Sequence, residues 1–103
     1  MNTMTNDKLR DELALLHDAV LLSAEMQWQE AKIVLTVRTA KGLRRVVTDG
    51  AKRLECSRDL PWGPSHCINN IRIESASDGV RMEVEMQSGD VLVILGNSVT
   101  LAG

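Results

Sequence analysis

The amino-acid sequence predicts an α+β fold: a single domain over residues 1–103, with an N-terminal helix packed on a mostly antiparallel meander of six to seven strands, strongly curved or barrel-like. Three observations lead there. Apolar residues recur at helical spacing over about residues 5–17, then alternate with polar ones through a sheet region of about 19–101. Two Asp-Gly pairs, Asp49-Gly50 and Asp78-Gly79, separate alternating stretches, as a type I′ hairpin requires where both central residues take φ > 0. The run Val91 to Leu95 is apolar on both faces, and one helix cannot cover both faces of one sheet. The second face is therefore expected to close as a barrel or to meet another copy of the chain, with Leu92, Ile94, Val34 and Val46 as candidate oligomer contacts.

The elements follow in order. Leu9, Leu13 and Leu16 form the helical stripe, which Leu15 widens, and Thr5 or Asn6 caps the start with Asp7 at the positive end of the dipole. Val20, Leu22, Ala24, Met26 and Trp28 then alternate with polar neighbours. A reversal at Gln29-Glu30 pairs Met26 with Ile33, Ala24 with Leu35 and Leu22 with Val37. A hairpin at Asp49-Gly50 sets Arg45 against Leu54 and Arg44 against Glu55. Beyond the loop Asp59 to Cys67, a hairpin at Asp78-Gly79 sets Ile71 against Met86 and Ile73 against Val84. Ser88-Gly89-Asp90 then turns into Val91–Leu95, and Val99–Leu101 adds an edge strand.

The loop is the most distinctive stretch. Pro61, Trp62, Gly63 and Pro64 exclude a regular element, and Trp62 either pins the loop by burying its indole or offers it to a partner. Aromatic residues make up only 2% of the chain, so the core is aliphatic and few rings exist for stacking on bases. Charge is uneven: seven basic residues face two acidic ones between Arg38 and Arg58, a balance of +5. From Asp59 onward six acids face two bases, a balance of −4. Two solvated strand faces account for this; a dipolar docking surface is the sharper reading. Arg44, Arg45, Lys52 and Arg53 lack interleaved aromatics and the pI is about 5.6, which argues against a nucleic-acid partner. The N-terminus lacks the basic-then-apolar pattern of a signal peptide, and no apolar run approaches a membrane span. The expectation is a cytoplasmic protein, with Cys56 and Cys67 as free thiols.

No constellation announces catalysis. His66 and Cys67 are neighbours in an extended chain and point to opposite faces. His17-Asp18 at the helix exit is explained by the exposed carbonyls and the dipole of the last turn. His17, Cys56, His66 and Cys67 have no metal-ligand spacing, and no glycine-rich phosphate loop precedes a helix, so no metal or cofactor is expected. The residues left as candidates for contact with a ligand or partner are Trp62, Ser65, His66, His17 and Asp18.

Leu16-His17-Asp18-Ala19, the Pro61-Trp62-Gly63-Pro64-Ser65 loop and Gln87-Ser88-Gly89-Asp90 together resemble a group of small bacterial proteins of unknown function, over most of the chain. The Leu-His-Asp-Ala segment is also similar to immunity proteins of contact-dependent toxin systems. Proteins of this kind are frequent as mobile cassette genes. The resemblance implies a fold and no catalytic residue. The expected function is a non-enzymatic, homo-oligomeric protein that acts by protein-protein interaction, of immunity or accessory type. The alternatives are a small-ligand binder walled by Trp28 or Trp62, and then a small enzyme using His17 and Asp18.

Overall fold

In a computed structural model, residues 6–57 and 66–103 are described. Helix α1 (Asn6–Ala14) precedes eight strands: β1 (Val20–Gln27), β2 (Lys32–Thr39), β3 (Gly42–Asp49), β4 (Arg53–Cys56), β5 (Ile68–Ala76), β6 (Gly79–Met86), β7 (Val91–Gly96) and β8 (Ser98–Ala102). They form two four-stranded antiparallel sheets, ordered β1-β2-β3-β8 and β4-β7-β6-β5. The helix and the antiparallel pairing are as the sequence predicts. The architecture differs from the expected single curved meander: there are two sheets, and they do not close into a barrel.

The difference arises at the first Asp-Gly pair. The turn at Asp49-Gly50 does not fold β4 back onto β3; it carries the chain from one sheet to the other. Arg45 consequently faces Ala102, and Leu54 faces Ile94. A return crossing at Asn97 completes this corner, where the Asn97 amide donates to the Asp49 carbonyl (2.8 Å) and the Lys52 amide to the Leu95 carbonyl (2.8 Å). A second corner joins the start of β1 to the start of β5. There Leu21 donates to His66 (2.8 Å), Ile68 to Ala19 (2.9 Å), and Val20 bridges Cys67. Strands that switch sheets at corners bury both inner faces without closing a barrel.

Between the sheets lie Ile33, Leu35, Val37, Val46, Ile71, Ile73, Met82, Val84, Met86, Leu92 and Ile94, all buried. Leu92, Ile94 and Val46 are therefore core residues and present nothing to a second copy; Val34, on the opposite face of β2, is half-buried. The outward row of β7 is sheltered by its own neighbours. Arg53 and Arg81 flank Leu95, and Glu55 and Glu83 flank Val93. Two ion pairs, Arg53–Glu55 (2.9 Å) and Arg81–Glu83 (3.1 Å), hold these side chains beside the apolar row, and their stems help to cover it. The two-faced strand is thus satisfied within one chain.

Register is mostly as expected. Met26 faces Ile33 and Ala24 faces Leu35, but a bulge between Leu21 and Ser23 sets Leu21, not Leu22, opposite Val37. Leu22 is exposed and Leu21 packs on the core. In the β5–β6 hairpin the turn residues are Ser77-Asp78, so Ile71 faces Val84 and Ile73 faces Met82. That slip of two residues keeps Ile71, Ile73, Met82 and Val84 on their expected face, while a bulge between Ile68 and Asn70 turns Ile68 into the core opposite Met86. Helix α1 packs on β5 and β8 through Leu9 and Leu13, while Arg10 Nε donates to the Ile73 carbonyl (3.2 Å). After Ala14 the chain tightens into i→i−3 turns; Leu16 stays buried, and Leu15 points outward at 76% exposure rather than widening the stripe.

Thr48 is fully buried on the inner face of β3, and its Oγ1 has no partner among the described residues. Valine has the same shape without the stranded hydroxyl. Thr48→Val is expected to stabilise the fold by about 1 kcal/mol, seen as a rise of a few degrees in the thermal midpoint. An unchanged or lowered midpoint would mean that this hydroxyl is satisfied in solution.

Candidate functional site: a basic cleft at the helix exit

The turn that ends α1 places His17 and Asp18 against the β5 corner. Asp18 adopts φ 71°, a left-handed conformation that aspartate tolerates better than most side chains. This aims its amide at the Ile68 carbonyl (2.8 Å), while its Oδ1 accepts from Gln87 Nε2 at 2.5 Å. The His17 ring lies 2.5 Å from the Asn69 carbonyl through Nδ1. A carbonyl only accepts, so Nδ1 carries the proton and donates. His17 Nε2 then faces the Asp18 carboxylate at 3.5 Å. Both side chains brace the helix exit against the ends of β5 and β6.

Beside this brace opens a cleft of about 440 Å³, lined by Leu15, Leu16, His17, Asp18, Ala19, Arg38, Thr39, Ala40, Lys41 and Arg44. One wall comes from the helix exit; the other is the β2–β3 hairpin, whose turn is Ala40-Lys41. That turn is shaped by Thr39 Oγ1, which accepts from the Lys41 amide (3.1 Å) and donates to the Gly42 carbonyl (3.0 Å). Arg38 and Lys41 are exposed and Arg44 is half-buried. None of the three cations is ion-paired among the described residues, and Arg44 Nε is buried without a hydrogen-bond partner. Asp18, the one carboxylate in the lining, is already engaged by Gln87.

Of the residues marked in the sequence, the structure therefore brings His17 and Asp18 together at this cleft. His66 is exposed at a different opening of about 200 Å³, with Leu21, Cys56, Ser57, Met86 and Asp90. Trp62 and Ser65 lie outside the described residues. Trp28 stands 84% exposed beyond the end of β1 and lines neither of these two openings. Cys56 and Cys67 are free. Among the described residues no group of His, Cys, Asp or Glu is arranged to hold a metal ion, and no helix is long and apolar enough to cross a membrane.

Sequence reasoning missed Arg38, Lys41 and Arg44 as a unit with His17. The local excess of positive charge was the available signal. That excess had to be joined to the β1–β2 register, which sets Val20 opposite Arg38 and so brings the β2–β3 turn beside the helix exit. No protein-family model and no curated protein matches the chain.

Proposed function

We propose that the protein is a non-enzymatic interaction protein that docks an acidic partner protein at the basic cleft. The observation that carries this reading is the convergence on one concavity, beside the exposed Leu15, of Arg38, Lys41 and Arg44, which have no ion pair among the described residues. Unneutralised cations around a cleft raise the local potential and favour an anionic surface, and arginine clusters are a recurring device for acidic motifs. Leu15 supplies the apolar contact that a charged rim alone lacks. His17 and Asp18 serve the site by fixing its helix wall through Asn69 and Gln87. An immunity or accessory role is the instance implied by the Leu16-His17-Asp18-Ala19 resemblance. A second reading, a small-ligand binder, is favoured by the size of the cleft, which lies within the usual range for such sites.

Charge reversal tests the docking reading. Arg38 and Lys41 are exposed, so Arg38→Glu with Lys41→Glu is expected to leave the thermal midpoint nearly unchanged. The same variant should retain less than about one tenth of the partner that the wild type captures from its native cells. Arg72→Glu, an exposed cation on β5, should capture as the wild type does. Equal loss from both variants, or from neither, refutes a docking site at the cleft.

A further inference from the structure

The cleft also carries a more local feature, at Arg44. On β3 the side chains of Val46 and Thr48 face the core, and Arg44, two residues earlier on the same face, enters the cleft where the opposing sheet no longer covers it. Its Nε is removed from solvent with no acceptor among the described residues to receive its hydrogen. That stranded donor has no surface a ligand could touch, but the terminal guanidinium nitrogens are neither buried nor hydrogen-bonded among the described residues. Arg38 and Lys41 also line this concavity, and three cations around one cleft raise its positive potential. An anion bound there meets the guanidinium donors and lowers that potential.

We infer that the cleft holds a discrete seat for one doubly charged oxyanion, a phosphate monoester or a pair of carboxylates, anchored on the Arg44 guanidinium and neutralised by Arg38 and Lys41. A guanidinium presents parallel donors that match two oxygens of one such group, whereas lysine offers a single point charge. A double negative charge fits because the lining sets three cations against one carboxylate. Leu15, Leu16, Ala19 and Ala40 provide the apolar remainder of the wall, which among the described residues holds no Trp, Phe or Tyr ring. This inference rests on the docking reading, since it names the chemical group of the partner that the cleft engages.

The test is a titration of the isotopically labelled protein at constant ionic strength, followed by amide chemical shifts. Three probes are used: inorganic phosphate, succinate and, as a single-charge control, acetate. Phosphate or succinate should move the amides of residues 17–19 and 39–44 saturably, and acetate should bind at least tenfold more weakly. Tenfold preference for phosphate assigns the monoester, and the same preference for succinate assigns paired carboxylates; either supports the seat. Arg44→Lys keeps the charge but loses the paired guanidinium donors, and should weaken the preferred probe at least tenfold with the remaining spectrum unchanged. Should that variant lose spectral dispersion, Arg38→Gln with Lys41→Gln replaces it, with the same tenfold loss expected. Acetate binding as well as the dianions overturns the inference, as does unchanged affinity in the folded variant. If neither dianion moves the cleft while Arg38→Glu with Lys41→Glu still abolishes partner capture, the oxyanion seat falls and the docking reading stands.

Discussion

Ile94→Asp is expected to unfold the protein outright. Ile94 is 0% exposed, paired on β7 between Leu54 of β4 and Met82 of β6, and faces the opposite sheet. A carboxylate there has no partner, and the penalty for an unpaired buried charge reaches several kcal/mol. The lost aliphatic contact adds to it; truncating a buried isoleucine to alanine alone costs about 2–5 kcal/mol. Against a total stability of about 5–15 kcal/mol for a small domain, the sum leaves no folded population worth measuring. Circular dichroism and amide dispersion should both report an unfolded chain, while Ile94→Val should lose only about 1 kcal/mol. From sequence alone the same aspartate variant, with Leu92→Asp, is expected to separate an oligomer and stay folded. A folded Ile94→Asp protein would restore that view and contradict the two-sheet core.

Gly79→Ala is the second large effect. Gly79 opens β6 with φ 147°, a conformation that side chains rarely adopt, and an added Cβ would lie 2.2 Å from the Gly96 carbonyl oxygen. That oxygen belongs to the backbone of β7, one residue before the return crossing, so it cannot swing away as a side chain would. Backbone strain of this kind costs about 1–3 kcal/mol before the clash is counted. Denaturant unfolding should therefore show a loss of about 3 kcal/mol or more, the strain and the clash acting together. Ala76→Gly, at the exposed residue directly opposite, should lose about 1 kcal/mol or less. Equal effects at the two positions would show that the β6–β7 approach is looser than described.

These two variants mark where the sequence was legible. Period alone found the helix stripe of Leu9, Leu13 and Leu16 and the inward rows of β2 and β6, because each spacing reports one face of one element. It also gave the Met26–Ile33 register, since the Gln29-Glu30 reversal has a fixed length. It failed at Asp49-Gly50. The same two residues serve a hairpin or a corner between sheets, and the deciding contact, Asn97 against Asp49, comes from far along the chain. That misreading made Leu92, Ile94 and Val46 look like surface. The outward apolar row of β7 misled in the same direction, because its cover is supplied by Arg53, Glu55, Arg81 and Glu83 on neighbouring strands. At the candidate site, His17 and Asp18 were visible as a motif. Arg44 was not, because an arginine that alternates onto a core-facing position reads as part of a solvated strand until the uncovered end of the sheet is known.

The claim that the cleft is where a partner docks is tested most directly by position-specific photo-crosslinking in the native cell. A photoreactive residue at Ala40 stands in the cleft, and one at Gln29 stands in the turn beyond the other end of β2. The eight residues of β2 separate the two by about 25 Å, farther than a crosslinker reaches. The docking reading predicts a protein adduct at position 40 that disappears in the Arg38→Glu, Lys41→Glu background, and none at position 29. An adduct at position 29 with none at position 40 would contradict it.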